Sequence, residues 1–151
     1  MIIIGCDPDS SKSGYAEYKG GELLDLKSLT LIEIYKMFEF ISCLSDSCEL
    51  HIEDLNAIKS NAFAVKSKDT LPMKLRKAGN VGQCKQVQLE IERIAEHFNI
   101  KVVRHSVSSK WKDKNGKVEF ERVTGWTGRS NEDTRSAAYF GKLGVIAHGK
   151  K

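Results

Sequence analysis

Long hydrophobic runs are missing from this 151-residue chain, and no apolar stretch approaches the ~20 residues that a membrane-spanning helix needs. The first residues also lack the basic segment that opens a secretory signal peptide. We therefore expect a cytoplasmic protein that neither enters a membrane nor is secreted.

Paired cysteines are missing as well. None of the four cysteines forms a Cys-x-x-Cys pair, the spacing typical of zinc sites and redox motifs. Scattered thiols of this kind are typical of reduced, mostly buried cysteines in a cytoplasmic protein. Internal repeats, linkers and low-complexity segments are absent too, so residues 1–151 are predicted to form a single domain.

The composition is that of a globular protein, with 40% apolar and 29% charged residues. The formal net charge of +4 is modest, but the positive charge is concentrated in two segments. Residues 59–77 contain six basic side chains and one acidic side chain, and residues 110–117 contain four lysines around Trp111. Such segments are either solvated loops or contacts for a polyanion.

Five segments are predicted to be β-strands. Residues 2–6 form an unbroken apolar run typical of a buried strand. Residues 15–18 and 22–29 are strand-like and are joined by a glycine pair that favours a hairpin. Further strands are predicted over residues 49–53 and 101–105. The first three strands would form an antiparallel meander, whereas the later strand–helix repeats favour parallel pairing with right-handed crossovers.

Three helices are predicted between and after these strands. Thr30 and Glu33 match a capping box, before a helix that runs to about residue 44. Residues 81–98 carry an apolar stripe at helical spacing, and Ser130 can cap a final helix. Residues 58–80 have no clean period and are predicted to be a mobile loop with some helix. The whole pattern predicts an α/β fold with a mixed five-stranded sheet and flanking helices.

Acidic residues stand where several predicted elements begin or end. Asp7 ends the first strand, Glu53 ends the fourth, and Glu132 and Asp133 open the final helix. If the two strands are parallel neighbours, their carboxyl ends meet at one edge, where open α/β sheets place their active sites. Converging carboxylates repel one another unless a cation is present, and oxygen-only ligands favour Mg²⁺ or Mn²⁺. A pair of such ions ~4 Å apart can promote phosphodiester hydrolysis.

Each of these acids also has an ordinary structural interpretation. Asp7 can be a turn residue, and Glu53 can be a solvated strand end. Asp133 can be the capping-box partner of Ser130, and Glu132 can favour the helix dipole. Their joint placement, with basic segments beside them, favours the metal site.

Several segments resemble motifs of the RuvC-type Holliday junction resolvases. Residues 5–15 (Gly-Cys-Asp-Pro-Asp-Ser-Ser-Lys-Ser-Gly-Tyr) resemble the first motif of that family, in which Asp, Pro and Gly precede a serine and Gly-Tyr follows shortly after. Residues 52–53 (Ile-Glu) are similar to its second acidic motif. Residues 82–85 (Gly-Gln-Cys-Lys) resemble the opening of its long helix, and residues 109–110 (Ser-Lys) the Val-Lys after its fifth strand. Residues 131–137 (Asn-Glu-Asp-Thr-Arg-Ser-Ala) match the Asn-x-x-x-Arg-Asp-Ala motif of compact phage relatives at all but one place.

The resemblance implies an RNase H-like fold, a homodimer and nicking of branched DNA that depends on Mg²⁺, with Mn²⁺ as a substitute, inside a bacterial or phage-infected cell. It implies that Asp7 and Glu53 are metal ligands and that Lys110 helps at the phosphate. On the last helix the family has acidic or histidine ligands at two positions, three residues apart. The first position matches Asp133, whereas the second matches Ser136, which is not a metal-binding carboxylate.

Ser136 leaves three possibilities open. The site lacks one ligand, Glu132 takes the missing place, or the protein is a weakened nuclease that still binds branched DNA. RNA and RNA–DNA hybrids are open as substrates, because the fold is shared with nucleases of that kind. An actin-like sugar kinase also begins with an acidic, glycine-containing turn, but this chain is too short for its two lobes.

Basic side chains are expected to hold the DNA backbone, so that recognition follows the shape of the junction more than its bases. The expected contacts are Lys74, Arg76, Lys77, Lys85 and Lys112. A two-fold dimer would place two sites across a junction. The apolar helix over residues 81–98 is expected at that interface, unless it is an ordinary core helix. Trp111 and Trp126 are expected to pack rather than to stack on DNA.

Overall fold

Strand β1 (Ile2–Asp7) lies at the centre of a five-stranded sheet in the computed structural model, which describes residues 1–44 and 46–149 of the chain. Strands β2 (Ser13–Lys19) and β3 (Glu22–Leu29) extend the sheet on one side by antiparallel pairing. Strands β4 (Cys48–Glu53) and β5 (Lys101–His105) extend it on the other side by parallel pairing. The resulting order is β3-β2-β1-β4-β5, so the predicted mixed sheet is confirmed.

Helices cover both faces of this sheet. They are α1 (Leu31–Ser42), α2 (Leu71–His97), α3 (Lys114–Thr124) and α4 (Glu132–Gly149), with short 3-10 turns at Leu55–Ala57 and Asn61–Ala64. Helices α1 and α2 pack on one face, and α4, with α3 beside it, packs on the other. Within the described ranges, none of these helices has the length and apolar character needed to cross a membrane.

Side chains of β1 alternate between the two faces, as they do in any strand. Ile2 and Ile4 join the core under α1 and α2, whereas Ile3 joins the core under α4. Gly5 also faces α4, because a Cβ added there would meet the backbone of that helix. By the same alternation Asp7 belongs to the α4 face, which places its carboxylate on the side where α4 begins.

The backbone of α4 rests directly on the sheet at two glycines. A Cβ at Gly5 would lie 1.9 Å from the carbonyl oxygen of Ala137, and a Cβ at Gly14 would lie 2.1 Å from that of Asp133. No other residue type fits at either position without moving the helix. The contact at Gly14 therefore sets the distance between the start of α4 and the sheet.

The other end of α4 is held by a buried polar cluster. His148 lies 2.8 Å from Oε2 of Glu49, and Lys101 donates a hydrogen bond of 2.8 Å to Oε1 of the same carboxylate. Burial alone would raise the pKa of Glu49, but these two hydrogen bonds outweigh it and lower the pKa to about 2. The ring of His51 lies under Gly144, where a Cβ would come within 2.4 Å of it. Helix α4 is thus fixed at both ends.

The first turns of α2 agree with the expectation of some helix in residues 58–80, but the predicted start of the long helix is wrong. Helix α2 begins at Leu71 rather than at residue 81, with Thr70 at its N-cap and Pro72 in its first turn. The first turns of α2 are largely exposed, so they carry no apolar stripe and the periodic pattern does not reveal them. In the sequence, Pro72 is the residue that indicates this earlier start of α2, because proline is favoured at the first positions of a helix.

The apolar stripe predicted for residues 81–98 packs inside the chain. Ile91 and Ala95 are completely buried, and Val87, Ile94 and Phe98 pack against the same core. The stripe therefore has an intramolecular role under α1. A homodimer stays a prediction.

Two further sequence interpretations are corrected at helix starts. Helix α3 was not predicted, although Asp113 caps it by accepting a hydrogen bond of 2.6 Å from the Gly116 N–H. Ser130 does not cap α4, because the side chain of Asn131 accepts the Thr134 N–H at 2.8 Å instead. The capping box of Thr30 and Glu33 is confirmed.

We expect Gly5→Ala to destabilise the protein by about 3 kcal/mol, because the new methyl group overlaps backbone atoms of α4 that cannot rotate away. Gly79→Ala is the control, since nothing lies within 4 Å of its added Cβ. In the interior of α2 that change should stabilise the chain by roughly 0.5–1 kcal/mol. Urea denaturation measures both, and a neutral result for Gly5→Ala would contradict the packing described.

Candidate active site

Asp7 and Glu53 end two neighbouring parallel strands. Cys6 lies opposite Ile52 in the register of β1 and β4, so the next residue of each strand is an acid. Both acids are deeply buried, with exposures of 5% for Asp7 and 2% for Glu53. Glu53 Oε1 accepts a hydrogen bond of 3.1 Å from the Ser108 N–H, which fixes one of its oxygens.

A cleft of about 320 Å³ opens at this edge of the sheet. It lies between the carboxyl ends of β1 and β4, the start of α4 and the middle of α2. The acids Asp7, Asp9, Glu53 and Asp133 all line it. Asp133 reaches the cleft because the contact at Gly14 brings the first turn of α4 onto the sheet. The predicted convergence of Asp7, Glu53 and Asp133 is therefore present in the structure.

A lysine lies among these acids. Lys112 Nζ is 3.0 Å from Oδ2 of Asp7 and 3.9 Å from Oε2 of Glu53. The contact with Asp7 is an ion pair without a hydrogen bond, since the same Oδ2 atom, although buried, accepts none from the described residues. The ammonium group thus neutralises charge without fully satisfying the oxygen.

The segment that carries Lys112 is held by Arg135 of α4. The guanidinium donates hydrogen bonds of 2.7 Å to the carbonyl of Trp111 and 2.5 Å to that of Lys112. Trp111 has a left-handed backbone with φ of 64°, an unfavourable conformation for a bulky residue. Its buried ring packs against Phe120 and Tyr139, and this packing together with Arg135 maintains the strained turn.

Burial and mutual repulsion perturb the titration of this cluster. Burial, followed by the charge of Asp7, raises the pKa of Glu53 to about 7. Burial also raises the pKa of Asp133, and the charges of Asp7 and Asp9 add to that effect. Burial acts to lower the pKa of Lys112, but the charges of Asp7 and Glu53 outweigh it and raise the pKa. The acids therefore share an environment that favours a bound cation.

The donor set fits a hard divalent cation in its chemistry. All four acids of the cleft offer carboxylate oxygens, and the buried Asp7 Oδ2 still has room for a partner. Among the described residues, however, no three His, Cys, Asp or Glu side chains stand close enough to hold a metal as they are. Cation binding would require the carboxylates to rotate towards one another and Lys112 to withdraw.

Two residues predicted for catalysis or metal binding, Lys110 and Glu132, lie outside the lining of the cleft, and so does Ser136. Lys110 is exposed and borders a different depression beside Trp111. Glu132 is exposed at the start of α4. Ser136 lies one turn after Asp133 and is completely buried, and its Oγ has no hydrogen-bond partner in the described part of the chain. The sequence pattern therefore favoured Lys110, whereas the structure brings Lys112 to the acids.

The predicted DNA contacts lie mainly on α2. Lys77 lines the cleft and makes an ion pair of 2.6 Å with Asp69. Lys74 is half-buried and Arg76 is exposed in the same first turns. Lys85 donates a hydrogen bond to the carbonyl of Ile58, so it also ties α2 to the segment before it.

Solved structures with the same architecture are known. The chain matches "T. thermophilus RuvC in complex with Holliday junction substrate" with a TM-score of 0.63 at 11% sequence identity, over 100% of this chain and 97% of that one. It matches "Thermus thermophilus RuvC structure" with a TM-score of 0.60 at 12% identity, over 99% and 97%. The chain has the RuvC fold. No family profile and no curated protein sequence matches it.

The RuvC fold covers the elements that carry the acids of this chain. The likeness spans nearly the full length of both chains, so it includes the central strands and the last helix that carry the acids. The RNase H-like α/β fold expected from the sequence motifs is therefore confirmed. At 11% identity the backbone is retained while almost every side chain differs.

The raised pKa of Glu53 predicts a pH-dependent cost of folding. Its folded pKa of about 7 exceeds its ordinary value of 4.5, so the stability that its protonated form contributes is present below pH 4.5 and is lost as the pH rises through 7. Glu53→Gln should remove this loss. Without divalent ions, the free energy of unfolding of the variant relative to the wild type should therefore be higher at pH 8 than at pH 4.5, by about 3 kcal/mol.

Denaturant unfolding in EDTA at several pH values measures this effect. Glu119→Gln is the matched control, because it makes the same change on an exposed position of α3. If the free energy of unfolding depends on pH in the same way for the wild type and Glu53→Gln, the raised pKa of the buried Glu53 carboxyl is contradicted.

Proposed function

We propose that this protein is a divalent-cation-dependent endonuclease that nicks branched DNA, with four-way junctions as its preferred substrate. The observation that carries the proposal is the meeting of Asp7, Glu53 and Asp133 in one cleft at the carboxyl edge of a RuvC-type sheet. A structural relative has been solved with a Holliday junction substrate, which supports this class of ligand.

The acids of the cleft would hold the cation, with Asp7 and Glu53 as the main ligands and Asp133 completing the set. A bound Mg²⁺ or Mn²⁺ supplies Lewis acidity towards water and phosphate and neutralises developing charge. The Ser108 N–H orients Glu53 through its Oε1 atom, and the buried walls exclude bulk water from Asp7. These residues are therefore prepared to direct a water molecule at a phosphodiester held over the cleft.

Positive side chains around the cleft would hold the DNA backbone. Lys112 and Lys77 line the cleft itself, and Lys74 and Arg76 extend the positive surface along α2. Contacts of this kind neutralise phosphates without reading bases, so they support recognition by shape and an affinity that falls with salt.

A two-fold dimer would allow paired nicks on opposite strands of a junction. We include it in the proposal because a four-way junction offers two equivalent strands. Sedimentation analysis of the protein, alone and with a junction, measures the subunit number directly.

Glu53→Gln should abolish nicking while leaving junction affinity within a few fold, because the change removes a ligand charge but hardly alters the surface that meets DNA. We expect a loss on the order of 10³-fold in rate, equivalent to about 4 kcal/mol. The measurement uses a labelled four-way junction in Mg²⁺, with fluorescence anisotropy for binding. Glu119→Gln should nick at the wild-type rate.

The same nicking assay on linear duplex DNA and on an RNA–DNA hybrid of the same sequence measures the substrate preference. Preference for the junction supports the proposal. Faster cleavage of the hybrid would instead favour a ribonuclease, and undiminished nicking by Glu53→Gln would remove Glu53 from the site.

A second candidate function is binding of branched DNA without cleavage, and Ser136 is the observation that favours it. The buried hydroxyl of Ser136 occupies a position where the RuvC-type family, which the motifs resemble, has a metal ligand. It makes no hydrogen bond to the described residues. This candidate predicts junction binding without nicking at any Mg²⁺ or Mn²⁺ concentration.

Ser136→Asp tests whether a ligand is missing. If the site lacks a carboxylate, this variant should nick at least about 10-fold faster than Ser136→Asn, which has nearly the same shape without the charge. Nicking rates at limiting Mg²⁺, with thermal unfolding of both variants, provide the comparison. No gain for the aspartate would show that the existing acids suffice.

A further inference from the structure

Lys112 lies among the acids of the cleft, and the proposed metal site does not use it as a ligand. Its ammonium group lies within ion-pair distance of both strand-end acids, at 3.0 Å from Asp7 and 3.9 Å from Glu53. Its side chain is only 29% exposed, and it lines the same cleft as Asp133. A monovalent cation supplied by the protein therefore stands where the carboxylates converge.

Contacts from α3 and α4 fix the backbone of Lys112, whereas its ammonium group is held by ion pairs. Arg135 donates to the carbonyls of Trp111 and Lys112, and Gly116 packs against the backbone of Trp111, where a Cβ would come within 2.5 Å. Within the described ranges, the ammonium group makes the ion pair with Asp7 and the longer contact with Glu53, and Oδ2 of Asp7 accepts no hydrogen bond. Four methylene groups separate it from the fixed backbone, so it can leave the acids without any movement of the fold.

A divalent cation and this ammonium group require the same oxygens. Asp7 Oδ2 is the nearer of the two acid oxygens paired with Nζ, and it is also a buried oxygen that accepts no hydrogen bond from the described residues. Positive charges confined near one carboxylate in a buried site repel each other strongly. Simultaneous occupancy is therefore unfavourable, and each cation lowers the affinity of the site for the other.

We infer that Lys112 is a resident counter-ion that competes with the divalent cation for Asp7 and Glu53 and so sets the cation concentration at which the site fills. The inference rests on the proposed function only in assuming that a divalent cation enters this cleft. Without that cation, Lys112 stabilises the fold by pairing the two buried acids. When the cation enters, the ammonium group leaves them for the mouth of the cleft.

The test compares Lys112→Met with Lys114→Met, a change of the same type at an exposed position two residues further along the chain. Isothermal titration calorimetry with Mn²⁺ alone, without DNA, gives the cation affinity. Lys112→Met should bind Mn²⁺ about 10-fold more tightly than the wild type, because the competing charge is gone. In EDTA it should have a lower Tm than the wild type, and Mn²⁺ should raise its Tm by a larger amount. Lys114→Met should match the wild type in all three measurements.

Lysine acetylation of the wild-type protein, read by mass spectrometry, provides a second measurement that needs no variant. Modification of Lys112 should be slow in EDTA and should accelerate when Mn²⁺ is added, whereas modification of Lys114 should not change. Equal or weaker Mn²⁺ binding by Lys112→Met, or unchanged labelling of Lys112, would overturn the inference.

The outcomes also separate this inference from the proposed function. If the wild type and Lys112→Met bind Mn²⁺ equally well, the inferred competition is overturned, but the proposal of a metal-dependent nuclease is not. Failure of both proteins to bind Mn²⁺ overturns the inference together with metal-dependent cleavage. Tighter Mn²⁺ binding by Lys112→Met than by the wild type, without nicking of any branched DNA by the wild type, supports the counter-ion and ends the nuclease proposal.

Discussion

Parallel pairing of β1 with β4 is the constraint on which the acidic cleft depends. The register aligns Cys6 with Ile52, so the two strands deliver Asp7 and Glu53 to the same height at the same edge. A shift of one residue would turn Glu53 to the opposite face of the sheet, because strand side chains alternate. The apolar residues that precede each acid favour this register, since a shift would also move Leu50 and Ile52 from the core under α1 and α2 to the face that α4 covers.

Bringing these acids together opposes folding. Two carboxylates with exposures of 5% and 2% lie beside each other away from water, and their removal from water costs free energy. Lys112 offsets part of this effect, and the strained Trp111 backbone holds Lys112 in place. Strain and uncompensated charge of this kind are typical of sites that act on a ligand, where stability is reduced in favour of activity.

The sequence reveals the parts of the site that depend on local pattern. The buried strands, the acids at their ends and the capping box of Thr30 and Glu33 are all encoded by neighbouring residues, and all are found in the structure. The resemblance to RuvC motifs gave the fold correctly, although the overall identity to the solved structures is only 11%. Short motifs at strand ends and helix starts therefore carried more information than the rest of the chain.

The parts that sequence reasoning missed depend on contacts between distant segments. The first turns of α2 are exposed and lack an apolar stripe, so only a proline marked them. Nothing local distinguishes Lys112 from Lys110, because the choice between them is made by the turn at Trp111 and by hydrogen bonds from Arg135. Arg135 belonged to a motif recognised in the sequence, but its role appears only when α4 is folded over that turn.

The contact between Gly14 and the carbonyl of Asp133 fixes the position of this acid independently of the segment that precedes α4. The sheet surface, not the connecting segment at residues 125–131, determines how far the first turn of α4 advances. Insertions or deletions among the exposed residues 127–129 of that connection should therefore be tolerated without disturbing the cleft, which makes them a suitable position for attaching a fluorophore or a second binding module.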